Sequence, residues 1–576
     1  MTNQRNTVSS LSIAVTGSGG AGVMTAGGFL LEAAAKAGWY GLQTRSVGPQ
    51  IRGGEAAALL RLSTRPVEVQ TAAFDLLFVV DWLNFDRFAA EIELRKDTLV
   101  IADPASGEIA DAVTASGARV IEMPVKEILE AIPGGRPNML ALGTVAGIVG
   151  LPMDTIFDLI EEQLGSKGEH AVSSGKVTVE AGYKFAETLG GAPRLGEPTP
   201  AAAGRWLITG NEAAALGAVR GGVRFAAAYP ITPATEILEW LSPSLAKVGG
   251  ALVQAEDELA SINMVIGASY GGVPALTATS GPGLALMTEA IGLATAAEVP
   301  LVVVDVMRGG PSTGIPTKSE QSDLNIAVYG LHGDAPHVVV APLSIADCLF
   351  TTQWAVHLAE AMQVPTIVLS DQFIGQAKAV IDRPAEITFL GRRERAENIS
   401  GAYHRYAVTA SGVSPMAIPG APGGQYTADG LEHSPRGTPS TRAEDHLAQL
   451  DKRQHKVDAF DFGNIWAEID GEGDLAVLIW GSSTAAAREA VEMARQRGAA
   501  VKLIALRLLA PCRPEAMRAA FAGVDRLLVV EQSHSGQFMN YVRAHYDLPS
   551  EVRGFRHPGP LTISPTEILN RIEEWS

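Results

Sequence analysis

Residues 276–317, LTATSGPGLALMTEAIGLATAAEVPLVVVDVMRGGPSTGIPT, contain the pattern that decides the fold. Two apolar strands, LTAT and LVVVDVM, flank a segment of helical length, and each strand runs directly into a glycine-rich turn. A strand, a helix and a second strand in this order predict parallel pairing, because a parallel crossover needs a connection of helical length. Open parallel sheets bind ligands outside the carboxyl ends of their strands. The turns SGPG (280–283) and RGGPSTGIPT (308–317) are therefore candidate ligand contacts.

The same alternation of apolar strands and helix-length segments extends in both directions. One series begins at LSIAVTG (11–17), a second near residue 206, and a third at AVLIWGSS (476–483). The Pro-, Gly- and Ala-rich stretch 190–204 lacks periodicity and indicates a linker. We therefore predict an α/β protein with three parallel-sheet domains. The predicted domains are 1–195, 196–385 and 466–576, with 386–465 as an extended connection.

The composition excludes several classes of function. The 576 residues include 45 Lys and Arg against 63 Asp and Glu, which gives a net charge of −18. This balance argues against a protein that binds nucleic-acid phosphates or anionic membranes. No apolar run approaches the roughly 18 residues of a membrane span, and no apolar segment follows the polar start. We therefore expect a cytoplasmic protein.

Cys348 and Cys512 are the only two cysteines of the chain. Iron–sulfur clusters and many structural zinc sites use four cysteine ligands. We therefore expect that any iron–sulfur cluster belongs to a partner chain.

Two glycine-rich segments in the first series are candidate anion contacts. GSGGAG (17–22) follows a strand and opens a helix, where backbone N–H groups can approach an anion closely. A dinucleotide-binding site also needs an acidic residue near the end of the next strand, and YGLQTRSV (40–47) has none. Two interpretations of GSGGAG therefore remain, a tight structural turn and a contact to a phosphate. The next loop, GPQIRGG (48–54), contains Arg52 beside a glycine pair and fits either an anion contact or a solvated turn.

The second series contains two candidate polar sites. YPITPATE (229–236) has two prolines that fix the backbone around Thr232, as a pre-organised contact to a substrate requires. A strand end followed by a helix capped by Thr235 explains this segment equally well. Glu256 and Glu258 open an almost uncharged helical segment. Acids in a first turn usually only complement the helix dipole, but a carboxyl group desolvated there can share a proton with a ring nitrogen.

RGGPSTGIPT (308–317) offers one cation, three hydroxyl groups and several glycines at the end of LVVVDVM. The Arg308 guanidinium presents a two-pronged donor for a carboxylate, and the hydroxyl groups supply further hydrogen bonds. A lone arginine at a strand end is more often a surface charge. Because the other turns of this series end neighbouring strands, a shared ligand site is favoured here.

Together these segments resemble the 2-oxoacid:ferredoxin oxidoreductases, specifically an alpha subunit with a gamma domain fused at its amino end. GSGGAG and GPQIRGG are similar to the gamma domain, which is Rossmann-like. YPITPATE, QAEDELASINMVIGASYGG, ATSGPG and RGGPSTGIPT are similar to the pyrimidine-binding domain of thiamine enzymes. VSPMAIPG is similar to the connection, and LIWGSS with VVEQSHSGQ to the transketolase C-terminal-like domain. The resemblance covers nearly the whole chain.

The resemblance implies a catalytic glutamate. In thiamine-dependent enzymes this residue, which contacts N1′ of thiamine diphosphate, opens a helix whose ninth following residue is small and packs against the sheet. Glu258 is followed at that distance by Gly267, whereas Glu256 is followed by Val265. Glu258 is therefore the predicted catalytic residue.

The resemblance also implies a substrate site and a site for coenzyme A. Thr232, Arg308 and Thr317 match the family positions that hold the 2-oxoacid, with Arg308 on its carboxylate. We expect coenzyme A to approach from the gamma domain, since its glycine loop is the best anion contact outside the thiamine domain. The predicted contacts in this loop are Gly48, Arg52 and Gly53.

The implied reaction is the oxidative decarboxylation of a 2-oxoacid with coenzyme A to an acyl-CoA and CO2, with reduction of ferredoxin, reversible in principle. A separate beta subunit supplies the diphosphate and Mg²⁺ site and a [4Fe-4S] cluster. This sequence fits that division, because it lacks the Gly-Asp-Gly and following Asn that bind the diphosphate. We expect an (alpha-beta)2 assembly that is active only with its beta subunit.

The substrate and the class of function each have an alternative. The long SPMAIPG connection and the fused gamma domain favour 2-oxoglutarate, which gives succinyl-CoA, with branched-chain or other 2-oxoacids as the alternative. A Rossmann-type dehydrogenase using GSGGAG would bind nicotinamide as an isolated chain. A non-catalytic scaffold would turn over no 2-oxoacid when paired with a beta subunit.

Overall fold

The computed structural model describes residues 7–48, 55–83, 85–87, 89–190, 192–199 and 204–575. The chain divides into two compact units. Unit 1 comprises Met1–Ile208, Ala377–Ala385 and Ser564–Thr566, and unit 2 comprises Thr209–Gln376, Glu386–Ile563 and Glu567–Ser576.

Strands and helices alternate along most of the chain. The first part of the chain forms β1 (Thr7–Val8), β2 (Ser10–Ser18), α1 (Val23–Lys36), β3 (Tyr40–Val47), β4 (Glu55–Ser63), β5 (Leu76–Val79), β6 (Leu99–Ala102), α2 (Asp111–Ser116), β7 (Arg119–Glu122), α3 (Val125–Glu130), α4 (Pro137–Val149), α5 (Met153–Leu164), α6 (Glu169–Thr188), β8 (Arg194–Leu195) and β9 (Arg205–Thr209). The central part forms α7 (Gly210–Gly221), β10 (Phe225–Ala228), α8 (Thr235–Lys247), β11 (Ala251–Gln254), α9 (Glu258–Tyr270), β12 (Ala275–Thr279), α10 (Gly281–Ala296), β13 (Leu301–Met307), α11 (Leu324–Tyr329), β14 (Val338–Val340), α12 (Ile345–Met362), β15 (Pro365–Asp371), α13 (Gln372–Gln376) and β16 (Lys378–Asp382). The last part forms α14 (Ala443–Asp458), β17 (Ala467–Asp470), β18 (Leu475–Trp480), α15 (Thr484–Gln496), β19 (Val501–Leu506), β20 (Leu508–Ala510), α16 (Pro514–Ala520), β21 (Arg526–Glu531), α17 (Gln537–His545), β22 (Glu551–Arg556) and α18 (Pro565–Glu573). None of the described helices is long and apolar enough to cross a membrane.

Unit 1 is built on an eight-stranded sheet with the strand order β7-β6-β5-β2-β4-β3-β16-β9. Strands β2, β5, β6 and β7 pair in parallel. β5 and β6 are fully buried apolar runs, as parallel strands covered on both faces require. β4 runs antiparallel to both β2 and β3, so the sheet is mixed. Only seven residues separate β3 from β4, which is too few for a crossover helix.

Helices α4 and α6 of unit 1 lie in close contact and run in the same direction. A Cβ atom added at Gly143 would lie 2.1 Å from the carbonyl oxygen of Val179, and one added at Gly147 would lie 2.8 Å from Cβ of Ala186. Glycine permits this approach, because any side chain at Gly143 would displace backbone. Both helices therefore begin at the same end of the unit.

Unit 2 contains two sheets. The seven-stranded sheet has the order β11-β10-β12-β13-β15-β14-β20, and β20 pairs antiparallel with β14. The other six strands are parallel. The five-stranded sheet has the order β17-β19-β18-β21-β22, in which β17 is antiparallel. One hydrophobic core, which includes Val303, Trp354 and Trp480, runs through both sheets.

The segment predicted as an extended connection contains one long helix. Residues 386–442, all of them described, have isolated bridges but no helix or paired strand, and α14 follows them. The sequence pattern does not predict α14, because its buried face is polar instead of apolar. The buried residues of α14 are Gln449, Lys452, Arg453, Lys456 and Val457.

The lysines of α14 surround a buried glutamate. Lys452 and Lys456 donate to the two carboxylate oxygens of Glu298 at 2.6 and 3.0 Å, and all three side chains are buried. Arg405 donates to the Glu298 carbonyl at 2.8 Å. Burial favours the neutral carboxyl, but the charges of Lys456 and Lys452 outweigh it and hold the pKa of Glu298 well below its usual range. This ion cluster fixes α14 to the rest of unit 2.

Glu298→Gln is expected to lower the free energy of unfolding by about 3–5 kcal/mol, because two buried ammonium groups lose their counter-charge. Denaturant unfolding followed by circular dichroism measures this change. Glu444→Gln is the matched control, since it removes the partner of Arg442 in an exposed ion pair. The control should change stability by less than about 0.5 kcal/mol. Equal losses in the two variants would contradict the role of the buried cluster.

Candidate active site

Glu258 is the first residue of α9, beyond the carboxyl end of β11. The preceding Asp257 caps the helix, and its carboxylate accepts a hydrogen bond from the Ala260 N–H at 2.7 Å. Glu258 is only 7% exposed, whereas Glu256 and Asp257 are both exposed. Among the described residues, no group donates a hydrogen bond to the Glu258 carboxylate. Of the three neighbouring acids, Glu258 alone is both buried and available to a ligand.

The turn before α10 lies directly against Glu258. A Cβ atom added at Gly283 would lie 2.0 Å from Oγ1 of Thr279 and 2.8 Å from Cγ of Glu258. Glycine at this position therefore allows the SGPG turn and the start of α9 to come together. The hydroxyl oxygens of Thr277 and Ser280 are buried there without a partner in the described part of the chain. The predicted turns therefore do converge at one edge of the sheet.

The predicted packing of Gly267 against the sheet is wrong. Gly267 is exposed, and a Cβ atom added there would meet no atom of the described residues within 4 Å. Val265, which follows Glu256 by the same nine positions in sequence, is the residue that packs in the core. The helix has one solvent-exposed side despite its lack of charges, and Gly267 lies on that side. The burial of Glu258, instead of the spacing, supports its selection.

Arg308 directly follows β13 and is 6% exposed. Its Nη1 donates to the carbonyl oxygen of Thr232 at 2.6 Å, and its Nε is buried without a partner among the described residues. Burial lowers the pKa of Arg308, and the charges of Asp323, Asp305 and Glu258 oppose that shift. The guanidinium thus lies within electrostatic reach of Glu258 and keeps one donor free for a ligand.

Sequence reasoning missed two carboxyl groups beside Arg308. Asp305, within β13, is fully buried, and neither of its oxygens has a partner in the described structure. A Cβ atom added at Gly281 would lie 2.5 Å from Oδ2 of Asp323, so Asp323 contacts the start of α10. Burial and the charge of Asp323 raise the pKa of Asp305 well above its usual range. Burial and the charge of Glu320 raise the pKa of Asp323 to about 7. The sequence feature that could have indicated Asp305 is that it is the single acid within the apolar strand LVVVDVM.

Thr232 lies in an exposed turn, and side-chain hydrogen bonds fix the residues that follow it. The Asn211 side-chain amide donates to the Pro233 carbonyl at 2.9 Å and to the Glu236 carboxylate at 3.2 Å. Gln376 donates to the other oxygen of Glu236 at 3.0 Å. The Thr232 contact with Arg308 uses its backbone carbonyl, which leaves its hydroxyl free of that interaction.

The RGGPSTGIPT loop folds back on itself and is fixed by the C-terminal segment. The Ile315 N–H donates to the Gly309 carbonyl at 2.8 Å, and Thr317 is half-buried. Just beyond the loop, Gln321 donates to the Trp480 carbonyl at 3.0 Å and its own side-chain oxygen accepts from the Gln532 N–H. The LIWGSS and VVEQSHSGQ segments therefore position the loop that carries the predicted substrate residues.

The predicted coenzyme A loop falls mostly outside the described residues. Gly48 is described and half-buried, whereas Arg52 and Gly53 lie outside the described ranges. In the neighbouring GSGGAG turn, the N–H and hydroxyl groups of Ser18 both donate to Asp81 at 2.9 Å. Asp81 therefore fixes this turn to the strand beside it.

These residues fit the pyrimidine half of thiamine diphosphate. The Glu258 carboxylate is buried and receives no hydrogen bond from the described chain, which suits contact with a ring nitrogen that shares its proton. The unpartnered hydroxyl groups of Thr277 and Ser280 add polar atoms to the same edge of the sheet. Glu258 is therefore the residue that would hold the cofactor ring.

Three family models match the chain. The thiamine diphosphate-binding model of pyruvate flavodoxin/ferredoxin oxidoreductases matches residues 216–452. The pyruvate ferredoxin/flavodoxin oxidoreductase model matches residues 12–185, and the pyruvate:ferredoxin oxidoreductase core domain II model matches residues 473–568.

Individual proteins match over long ranges. Subunit KorA of 2-oxoglutarate synthase from Methanothermobacter marburgensis is 36% identical over 373 residues, which cover 64% of this chain and 98% of that one. The 2-oxoacid:ferredoxin oxidoreductase subunit alpha of a Sulfolobus species is 29% identical over 602 residues, which cover 92% of this chain and 91% of that one. The solved 2-oxoglutarate:ferredoxin oxidoreductase from Magnetococcus marinus, with 2-oxoglutarate, coenzyme A and succinyl-CoA bound, is 34% identical with a TM-score of 0.91 over 98% of this chain and 99% of that one.

The parallel sheet with its buried glutamate, together with the thiamine diphosphate-binding match, defines a thiamine diphosphate-dependent oxidoreductase. The similar proteins identify the family within this class of oxidoreductases. The chain belongs to the 2-oxoacid:ferredoxin oxidoreductase family, as an alpha subunit with the gamma domain at its amino end. The resemblance seen in the sequence motifs is thereby confirmed.

Proposed function

We propose that this chain, paired with a beta subunit, converts 2-oxoglutarate and coenzyme A to succinyl-CoA and CO2 and reduces ferredoxin, a reaction reversible in principle. The juxtaposition of buried Glu258 with buried Arg308 carries the proposal, because it provides a proton-exchanging carboxylate and a cation for a 2-oxoacid. The choice of 2-oxoglutarate rests on the Magnetococcus marinus enzyme and the archaeal KorA subunits. A branched-chain or other 2-oxoacid is the alternative substrate.

Each residue of the site has a distinct proposed task. When bound, thiamine diphosphate supplies the electron sink for decarboxylation. Glu258 exchanges a proton with the ring nitrogen N1′ of the cofactor. Arg308 binds the 2-oxoacid carboxylate through the donor that its Thr232 contact leaves free. The hydroxyl groups of Thr232 and Thr317 supply neutral hydrogen bonds.

The surface around Glu258 supports completion of the site by a beta subunit. Leu259 and Met264 on α9 and Leu286 on α10 are 51%, 42% and 51% exposed. Large apolar side chains left exposed on the two helices beside a site favour contact with another chain. In the proposal, that chain binds the diphosphate with Mg²⁺, carries the [4Fe-4S] cluster and supplies the donor for the second carboxylate of 2-oxoglutarate. Ferredoxin is the proposed electron acceptor and (alpha-beta)2 the proposed assembly.

The isolated chain is expected to carry no iron and to show no broad visible absorption, because it has two cysteines in all. Metal analysis and an absorption spectrum of the purified chain test this prediction. Colour should accompany the co-purified beta subunit. Stoichiometric iron on the isolated chain would contradict the proposed division between the subunits.

The Michaelis constant for the 2-oxoacid is expected to rise as the pH increases from about 6 to about 8. Asp323, whose pKa burial and the Glu320 charge raise to about 7, ionises over this range and places a negative charge beside Arg308. That negative charge competes with the substrate carboxylate for Arg308. The Michaelis constant should rise by up to about tenfold if the interaction is worth one pKa unit. Asp323→Asn should flatten the pH profile, and the exposed Asp334→Asn should not. A profile unchanged in Asp323→Asn would contradict this coupling.

The substrate assignment is tested with the co-purified alpha–beta complex. Reduction of a viologen dye is followed with coenzyme A and, in turn, 2-oxoglutarate, pyruvate and a branched-chain 2-oxoacid. We expect the highest specificity constant for 2-oxoglutarate and no turnover without coenzyme A. A higher constant for another 2-oxoacid would overturn the substrate, and no turnover of any 2-oxoacid would overturn the proposed reaction.

A further inference from the structure

Buried side chains hold two consecutive carbonyl groups of the Thr232 turn. Arg308 donates from Nη1 to the Thr232 carbonyl at 2.6 Å, and Asn211 donates from Nδ2 to the Pro233 carbonyl at 2.9 Å. Arg308 is 6% exposed and Asn211 is 1% exposed, although Thr232 itself is exposed. The turn is therefore fixed from two different elements, the end of β13 and the start of α7.

The orientation of the Arg308 guanidinium depends on this turn. Among the described residues, the Thr232 carbonyl is its one hydrogen-bond acceptor, and no carboxylate lies within 4.0 Å of its nitrogens. A guanidinium carries its N–H donors in a rigid plane, so its binding of a carboxylate depends on the direction of that plane. Displacement of the Thr232 carbonyl would therefore turn the donors that remain for a ligand.

Asn211 is itself held in one orientation. Its Nδ2 also donates to the Glu236 carboxylate at 3.2 Å, and Gln376 donates to the second oxygen of that carboxylate at 3.0 Å. Because both partners of Nδ2 are acceptors, the amide nitrogen and oxygen cannot exchange places. A Cβ atom added at Gly375 would lie 2.8 Å from Oδ1 of Asn211, so glycine there lets α13 pack directly against the amide.

Asn211 is not needed to cap its own helix. Thr209 and Glu212 already form a complete capping box at the start of α7. Asn211 is instead buried with Oδ1 unpartnered in the described part of the chain, which costs free energy relative to an apolar side chain. A buried amide with such a cost, beside a ligand site, is better explained by the geometry that it gives to the site.

We propose that Asn211 is a positioning residue for the 2-oxoacid, which acts through the Thr232 turn on the orientation of Arg308. Glu236 and Gln376 complete the network, because they hold the Asn211 amide. The inference rests on the proposed function, which assigns Arg308 to the substrate carboxylate. Loss of Asn211 should therefore weaken binding of the 2-oxoacid and leave binding of coenzyme A unchanged.

Asn211→Ala is expected to raise the Michaelis constant of the alpha–beta complex for 2-oxoglutarate by about two- to tenfold, the effect of one lost neutral hydrogen bond. The turnover number and the Michaelis constant for coenzyme A should change by less than about twofold, because binding and not chemistry is altered. Steady-state viologen reduction measures all three quantities.

Gln449→Ala is the matched control for the loss of a buried amide. Gln449 is also 1% exposed, donates to a backbone carbonyl at 2.9 Å and has an Oε1 without a partner within the described ranges. Its loss should lower stability to a similar degree in thermal unfolding. It should change neither Michaelis constant, because α14 carries none of the predicted substrate residues.

A double-mutant cycle separates positioning through Arg308 from a general structural effect. Asn211→Ala should cause no further rise in the Michaelis constant when it is added to Arg308→Ala. An exchange variant tests the rest of the network. Gln376→Glu alone places two carboxylates together and should raise the constant. Glu236→Gln/Gln376→Glu should restore it, because the amide and the carboxylate exchange places and an acceptor still faces Asn211.

The outcomes distinguish this inference from the proposed function. An unchanged Michaelis constant in Asn211→Ala, an equal rise in Gln449→Ala, or a full further rise in the Arg308→Ala background would overturn the positioning role. Any of these results in a complex that turns over 2-oxoglutarate would leave the proposed function in place. Isothermal titration with 2-oxoglutarate measures its dissociation constant in the same variants without turnover. A complex that turned over no 2-oxoacid would overturn the proposed function, and the titration would still decide the role of Asn211.

Discussion

Glu258→Gln is expected to abolish turnover of every 2-oxoacid. The variant keeps the shape of the side chain but cannot exchange a proton with the cofactor ring, and loss of such a group costs about 10²–10⁴-fold in rate. Steady-state viologen reduction by the alpha–beta complex measures the loss. Folding and association with the beta subunit should be retained, because the Glu258 carboxylate makes no hydrogen bond within the described chain.

The control for this variant is Glu256→Gln. Glu256 precedes α9 and is exposed, so its loss should leave turnover near that of the unmodified enzyme. An inactive Glu256→Gln complex beside an active Glu258→Gln complex would show that the catalytic glutamate lies two residues earlier.

Arg308→Ala is expected to lower the specificity constant for all 2-oxoacids alike, mainly through the Michaelis constant. A substrate carboxylate buried without a cation loses a charge-assisted interaction of about 1.5–3 kcal/mol, which corresponds to roughly 10- to 160-fold. Thr232→Ala and Thr317→Ala should each cost about 0.5–1.5 kcal/mol, and Thr317→Ala should also alter the preference among substrates. Specificity constants for 2-oxoglutarate, pyruvate and a branched-chain 2-oxoacid separate these effects.

Arg308→Lys is the matched control for charge. It keeps a cation but cannot donate to the Thr232 carbonyl and to the substrate carboxylate in the geometry of a guanidinium, so its constants should lie between those of the unmodified and Arg308→Ala enzymes. Unchanged constants in Arg308→Ala would rule out Arg308 as the carboxylate ligand.

The parts of the fold with local signals were predictable from the sequence. The strand–turn–helix pattern around SGPG appears as β12, α10 and β13, because a buried parallel strand needs an apolar run and its turn needs glycine. The antiparallel course of β4 was not predicted, although the seven residues after β3 are too few for a crossover. The pairing of β20 with β14 joins residues about 170 positions apart, and no local pattern reports such a contact.

Buried charges account for the main features that the sequence pattern missed. The α14 lysines face Glu298 across 154 and 158 positions, and an apolar-periodicity rule assigns such residues to the surface. Asp305 is likewise fully buried inside a strand, and half-buried Asp323 lies against Gly281 of a separate turn. Gly267 shows the opposite error, because the spacing rule taken from thiamine-dependent enzymes predicted that it packs against the sheet, whereas it is exposed.

A structure of the alpha–beta complex with thiamine diphosphate bound tests the central claim most directly. The decisive quantity is the distance from the Glu258 carboxylate to N1′ of the cofactor. We predict a hydrogen-bond distance of about 2.6–3.2 Å, with the diphosphate and Mg²⁺ on the beta subunit. A cofactor whose N1′ meets another carboxylate, or which the beta subunit binds without contact to this chain, would contradict the account.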